Sequence, residues 1–135
     1  MLKSAKIIPF LAGVKKTLKE NVELMSMCNG LYDWVPEETD MPFITFGRIS
    51  VFDDDTKCIP GNKIELDIVV WDTGKGRLRS LKMIEQIELS LTKDDLEVNF
   101  PDTIDLVDWD VEIIENEEQQ YGLYCSVVKF VGRVE

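Results

Sequence analysis

Apolar residues recur along this chain first with a helical and then with a strand period. Leu11, Val14, Leu18 and Val22 fall at helical spacing, with Lys15, Lys16, Lys19 and Glu20 on the other side. This predicts a first helix over 5–23 with Pro9 in its first turn. After Asn29-Gly30, a helix stop, residues 31–35 read as a short strand closed by Pro36, and 36–42 as a polar loop. Residues 43–53 are dense in Phe, Ile, Thr and Val, and Ile64, Leu66, Ile68 and Val70 then alternate with Glu65 and Asp67. Pro60-Gly61 punctuates the stretch between them, so the pair reads as an antiparallel hairpin with a long tip over 54–62.

A glycine turn at 72–76 ends the second strand, and Leu81, Ile84, Ile87 and Leu91 predict a second helix over 77–92. Its other face, with Arg77, Arg79, Lys82, Glu85 and Glu88, reads as solvated. Strands are expected at 96–100, 103–115 and 121–134. Within the middle one the apolar phase shifts, from Ile104 and Leu106 to Val107, Trp109, Val111 and Ile113, which implies a bulge near Leu106-Val107. Trp34, Trp71 and Trp109 fall within or at the end of apolar strands, where packing is expected of them. The order α-β-β-β-α-β-β-β lacks regular βα alternation. It defines an α+β fold with a mainly antiparallel sheet and two helices packed on one face.

Composition narrows the function. A chain of 135 residues, 44% apolar and 30% charged, suits a single domain over 1–135 whose core forms without disulfide or metal staples. The absence of His removes the usual acid/base catalyst and the commonest zinc ligand, and with them any Ser/His or Cys/His relay. No enzymatic role and no cofactor are expected. Fifteen basic residues against 26 acidic ones give a formal charge of -11, which disfavours binding to nucleic acid phosphates. Charge is unevenly spread. Lys3, Lys6, Lys15, Lys16 and Lys19 precede the first acid, so the remaining ten bases stand against all 26 acids in 20–135. That lysine row is either a solvated helix face or a docking patch for an acidic partner. Cys28, Cys58 and Cys125 follow no metal or disulfide pattern and suit a reducing cytosol. The apolar run 7–14 is too short to cross a bilayer and lacks a cleavage site, so no membrane role is expected.

Two acidic groupings are candidate surfaces. Asp53, Asp54 and Asp55 open the hairpin tip, but Lys57 and Cys58 stand where an EF-hand loop needs a ligand and Gly. The tip residues Asp53, Asp54, Asp55, Lys57, Pro60 and Gly61 read instead as an assembly or partner loop. Asp108, Asp110 and Glu112 should project from one face of a strand while Trp109, Val111 and Ile113 enter the core, forming an acidic surface without a catalytic cleft. Gly74-Lys75-Gly76 completes no phosphate-binding motif.

The motifs Gly30-Leu31-Tyr32-Asp33-Trp34-Val35-Pro36 and Met41-Pro42-Phe43-Ile44-Thr45-Phe46-Gly47 resemble the I-Y-x-x-x-P … P-Y/F-I-x-x-G signature of tail-completion proteins of long-tailed bacteriophages and prophages. The strand over 66–71, the glycine turn and the helix ending at Leu91 are similar to that family's central strand and second helix. The resemblance implies a tail-terminator or tail-to-head joining protein without catalytic residues. Such a protein is assembled in the host bacterial cytoplasm and caps the tail tube as a ring homo-oligomer, a hexamer, between tail tube protein and head connector protein in the virion tail. The competing reading of the same acidity is a small acidic adaptor or inhibitor that mimics nucleic acid toward a basic protein.

Overall fold

The structure is a computed structural model that describes residues 2–56 and 58–135. A 3-10 turn over Lys3–Lys6 leads into α1 (Ile7–Glu20), followed by α2 (Val22–Met27), β1 (Leu31–Tyr32), β2 (Phe43–Asp53) and β3 (Asn62–Thr73). Then come α3 (Leu78–Leu91), a second 3-10 turn over Leu96–Asn99, β4 (Leu106–Gln120) and β5 (Leu123–Val134). Among the described residues the strands form one five-stranded sheet in the order β1-β2-β3-β5-β4. Only the β1–β2 pair is parallel. The fold is α+β, as the element order predicts.

Alternation explains why the sheet is covered on one side. Ile64, Leu66, Ile68 and Val70 of β3 and Val128, Phe130 and Val134 of β5 are buried on the face that carries the helices. Helix α3 packs Met83, Ile84, Ile87 and Leu91 onto that layer, and α1 adds Phe10, Val14 and Leu18. Phe10 is the keystone: its ring stacks on Phe130 at 5.8 Å and meets Phe100 at 5.6 Å. Ser80 and Ser90 are the buried small residues of α3, and they let neighbouring elements approach and hydrogen-bond.

Several expectations need correction. The first helix is not continuous to residue 23, because Asn21 adopts an extended backbone and caps α2, its Oδ1 accepting from Leu24 N at 2.9 Å. The break turns Val22 outward, at 80% exposure. Leu81 is also exposed, because the buried stripe of α3 runs through Ser80, Met83, Ile84, Ile87, Ser90 and Leu91 and leaves Leu81 on its margin. The stretch 96–100 is not a strand. Amide-to-carbonyl bonds from Leu96 to Lys93, Val98 to Asp95 and Phe100 to Glu97 wind it into a 3-10 turn that buries Leu96 and Phe100. The expected bulge near Leu106-Val107 is present as a register shift between Leu106 and Asp108. A second shift, between Val111 and Ile113, moves Ile113 opposite Lys129 on the uncovered face, so Ile113 does not enter the core. Strand β1 stops at Tyr32, and Trp34 is exposed beyond it rather than packed.

Candidate assembly surface

The hairpin tip is built from its base outward. Asp54 N donates to Gly61 O at 3.0 Å, continuing the β2–β3 ladder by one further bond. Gly61 N donates to Asp55 Oδ1 at 3.0 Å, and Asn62 Nδ2 reaches Phe52 O at 3.1 Å. Arg133 of β5 holds the base from the side. Its Nε lies 3.0 Å from Asp54 Oδ2, its Nη2 donates to Asp54 O at 3.0 Å, and its Nη1 donates to Glu135 Oε2 at 2.6 Å. The Glu135 carboxylate that bonds it, with Asp54 adding, holds the Arg133 guanidinium above its ordinary pKa. A Cβ at Gly61 would sit 2.7 Å from Arg133 Nη2, so a larger residue there has to displace the guanidinium from the base of the tip. Asp53 pairs with Lys3 at 3.3 Å in an exposed contact, which contributes little. Pro60, with Thr56, Cys58 and Ile59, lies exposed at the end of the loop. Lys57 lies outside the described residues.

The two sequence-predicted groupings meet in part. Asp54, Lys63 and Arg133 line a shallow hollow of about 210 Å³ together with Asp108, Asp110 and Glu112. Asp53, Asp55, Pro60 and Gly61 turn to the other side of the tip and, with Lys3 and Lys6, line another hollow of about 360 Å³. Asp108 and Asp110 each accept the amide of the next residue, at 3.0 and 2.8 Å, beside the β4 bulges. All three acids of the grouping are exposed.

Sequence reasoning missed Arg133 and Glu135, because the contact to Asp54 spans 79 positions and leaves no local periodic signal. It also missed the pairing of Arg79, read as solvated, with the carboxylate of Asp72, which is buried at the end of β3. The Nε of Arg79 reaches Asp72 Oδ2 at 2.9 Å, and this carboxylate raises the Arg79 pKa. The pair ties the start of α3 to the sheet. Among the described residues no group of three or more His, Cys, Asp or Glu is arranged to hold a metal ion, and no helix is long and apolar enough to cross a membrane.

Among the described residues this is an α+β subunit with a sheet covered by helices on one side, exposed charged residues on its outer strand β4 and shallow hollows beside the hairpin tip. A chain of the virion of a native gene transfer agent (GTA) particle has the same fold. It superposes with a TM-score of 0.78 at 16% sequence identity, covering 90% of this chain and 91% of that one. No curated protein sequence matches the chain. The sequence profile of the family described as Tail completion protein gp17 matches residues 13–134, and the chain belongs to that family of phage tail structural proteins.

Proposed function

We propose that this protein closes the end of the tail tube as a homo-oligomeric ring, a hexamer, and there presents the surface to which the head connector protein attaches. Family membership over 13–134 carries the reading. The geometry suits it: the two outer strands of the sheet, β1 and β4, lie on opposite sides of the subunit, as head-to-tail contacts require. The role is structural and includes no chemical step. Its partners are further copies of itself, the tail tube protein and the head connector protein, and its place is the virion tail after assembly in the bacterial cytoplasm. The tip from Asp53 to Gly61, with Asp108, Asp110 and Glu112 beside it, is the surface proposed to meet a neighbouring protein.

The test is to disrupt the gene in a producing phage or prophage and image the products. Loss of the protein should yield full heads and separate tails that do not join, and purified tails from the intact producer should carry a ring of this subunit at the head-proximal end. Joined, infectious particles formed without the protein overturn the proposal. So does a tail end that carries the protein in no ring.

A further inference from the structure

One edge strand of the sheet carries a row of acids, and the first helix turns a row of lysines toward the other edge. Strand β4 ends the order β1-β2-β3-β5-β4, so its outer edge has no neighbour within the sheet. Asp108, Asp110, Glu115 and Glu117 stand opposite Arg133, Val131, Val127 and Cys125 of β5 and therefore share one face of the strand. All four are exposed. The base opposite the start of the row, Arg133, is engaged by Asp54 and Glu135, and Lys129 stands opposite Ile113 rather than an acid. Among the described residues none of the four acids forms an ion pair. A free edge of this length invites pairing with its own copy, but a row of like charges opposes that. It fits a basic partner.

The other side of the subunit offers one. Lys15 of α1 pairs with Asp33, the residue that follows β1, so this face of the helix lies at the β1 edge of the sheet. Lys19 shares that face one turn on, Lys16 stands beside it, and both are exposed. No Asp or Glu occurs before Glu20.

We propose that these surfaces are the two halves of one contact between copies of the chain: the lysine face of α1 in one subunit seats against the acidic row of β4 in the next. The inference rests on the ring reading above and names the interface that closes the ring. Because the surfaces lie on opposite edges, each copy uses both at once, and repetition closes into a ring when the rotation allows. Each exposed ion pair is weak alone, so the contact depends on several together and loosens as salt screens them.

Sedimentation velocity over a protein concentration series at low and high salt tests it with three variants: K16E/K19E, E115K/E117K, and one chain carrying all four changes. None of these side chains forms an ion pair within the described subunit, and circular dichroism checks that each variant is folded. Wild type should associate at low salt and dissociate as salt rises. Each two-residue reversal should weaken association by about tenfold or more, and the four-residue chain should return to within about threefold of wild type. Reversals that associate like wild type, a four-residue chain that fails to recover, or a wild type that stays monomeric at low salt up to its solubility limit overturns the contact. Imaging of tail ends reads separately. A ring still present on tails that carry K16E/K19E removes this interface and leaves the ring, whereas wild-type tails without a ring remove the functional proposal itself.

Discussion

Gly13 sits where α1 presses on the turn after α3, and an added Cβ would lie 2.3 to 2.6 Å from atoms of the Phe100 ring. That ring cannot retreat freely, because it is packed on Phe10. Two effects of opposite sign therefore compete in Gly13→Ala. Helix propensity favours alanine by roughly 0.5–1 kcal/mol, and overpacking costs roughly 1–3 kcal/mol. Steric strain should win, and the denaturant midpoint should fall; a variant more stable than wild type would show that Phe100 has room to move. The cysteines allow a second residue-scale prediction. Cys28 and Cys125 are partly buried, and desolvation pushes both thiols above their ordinary pKa, whereas Cys58 is exposed in the tip. Since the thiolate is the reactive species, a thiol reagent at neutral pH should modify Cys58 first, and Cys58→Ser should remove the fast phase. The sign of the linkage follows from the raised values. Whatever stability these two thiols contribute is present below the unfolded thiol pKa and is lost as pH rises through the higher folded values, so it fades only in alkaline solution. Peptide mapping of the labelled protein checks the first statement, and denaturant midpoints from neutral to alkaline pH check the second.

At the scale of elements, Asn21 joins α2 to α3 through one side chain. Its Oδ1 caps α2, while its Nδ2 donates to Ser90 Oγ at 2.8 Å and to Gln86 O at 3.2 Å across α3. Asn21→Ala removes a cap and leaves a part-buried acceptor without its donor, for a loss of about 1–3 kcal/mol. Asn21→Asp keeps the α2 cap but sets a carboxylate oxygen against Gln86 O, so its thermal midpoint should fall at least as far as that of Asn21→Ala, and a smaller fall would show that the cap outweighs the α3 contacts. The tip is the opposite case. Its base is secured by the Asp54–Gly61 hydrogen bond and by Arg133, so replacing residues 55–60 with Asn-Gly should leave the circular dichroism spectrum unchanged while impairing assembly onto tails. A shortened variant that completes infectious particles would make the tip dispensable. Much of this architecture is legible in the sequence, because β3, α3 and β5 carry their periodicity over ten or more residues and β2 is marked by its density of Phe, Ile, Thr and Val. Short elements are not. The 96–99 turn buries only Leu96 and Phe100, a spacing that a strand reading also tolerates, and the second β4 bulge inverts Ile113 without any Gly or Pro to announce it. Of the candidate surface, the acidic residues are visible in the sequence, but Arg133 beside Asp54 is not. Ladder register alone brings those two together.

For the whole molecule the controlling quantity is the distribution of charge rather than its sum. A formal charge of -11 repels duplex DNA, yet the first 19 residues carry five lysines and no acid, so local attraction and global repulsion oppose each other. The lysines are not all available. Lys15 is paired with Asp33 and Lys3 with Asp53, and Lys6 is buried at 8% exposure. That leaves Lys16 and Lys19 as the exposed remainder of the row without an ion pair among the described residues. Two phosphate contacts supply a shallow salt dependence and little affinity, whereas non-specific DNA binders neutralise several phosphates at once. At physiological ionic strength the screening length is about 8 Å, so the acids on the far edge no longer reach these lysines, and the deficit is one of number rather than of distant repulsion. The protein should therefore not shift duplex DNA in a mobility assay at physiological salt. Any retardation at low salt should vanish in K16E/K19E. Tight binding that survives physiological salt, or that persists in that variant, would show that a different basic surface forms when copies of the chain come together.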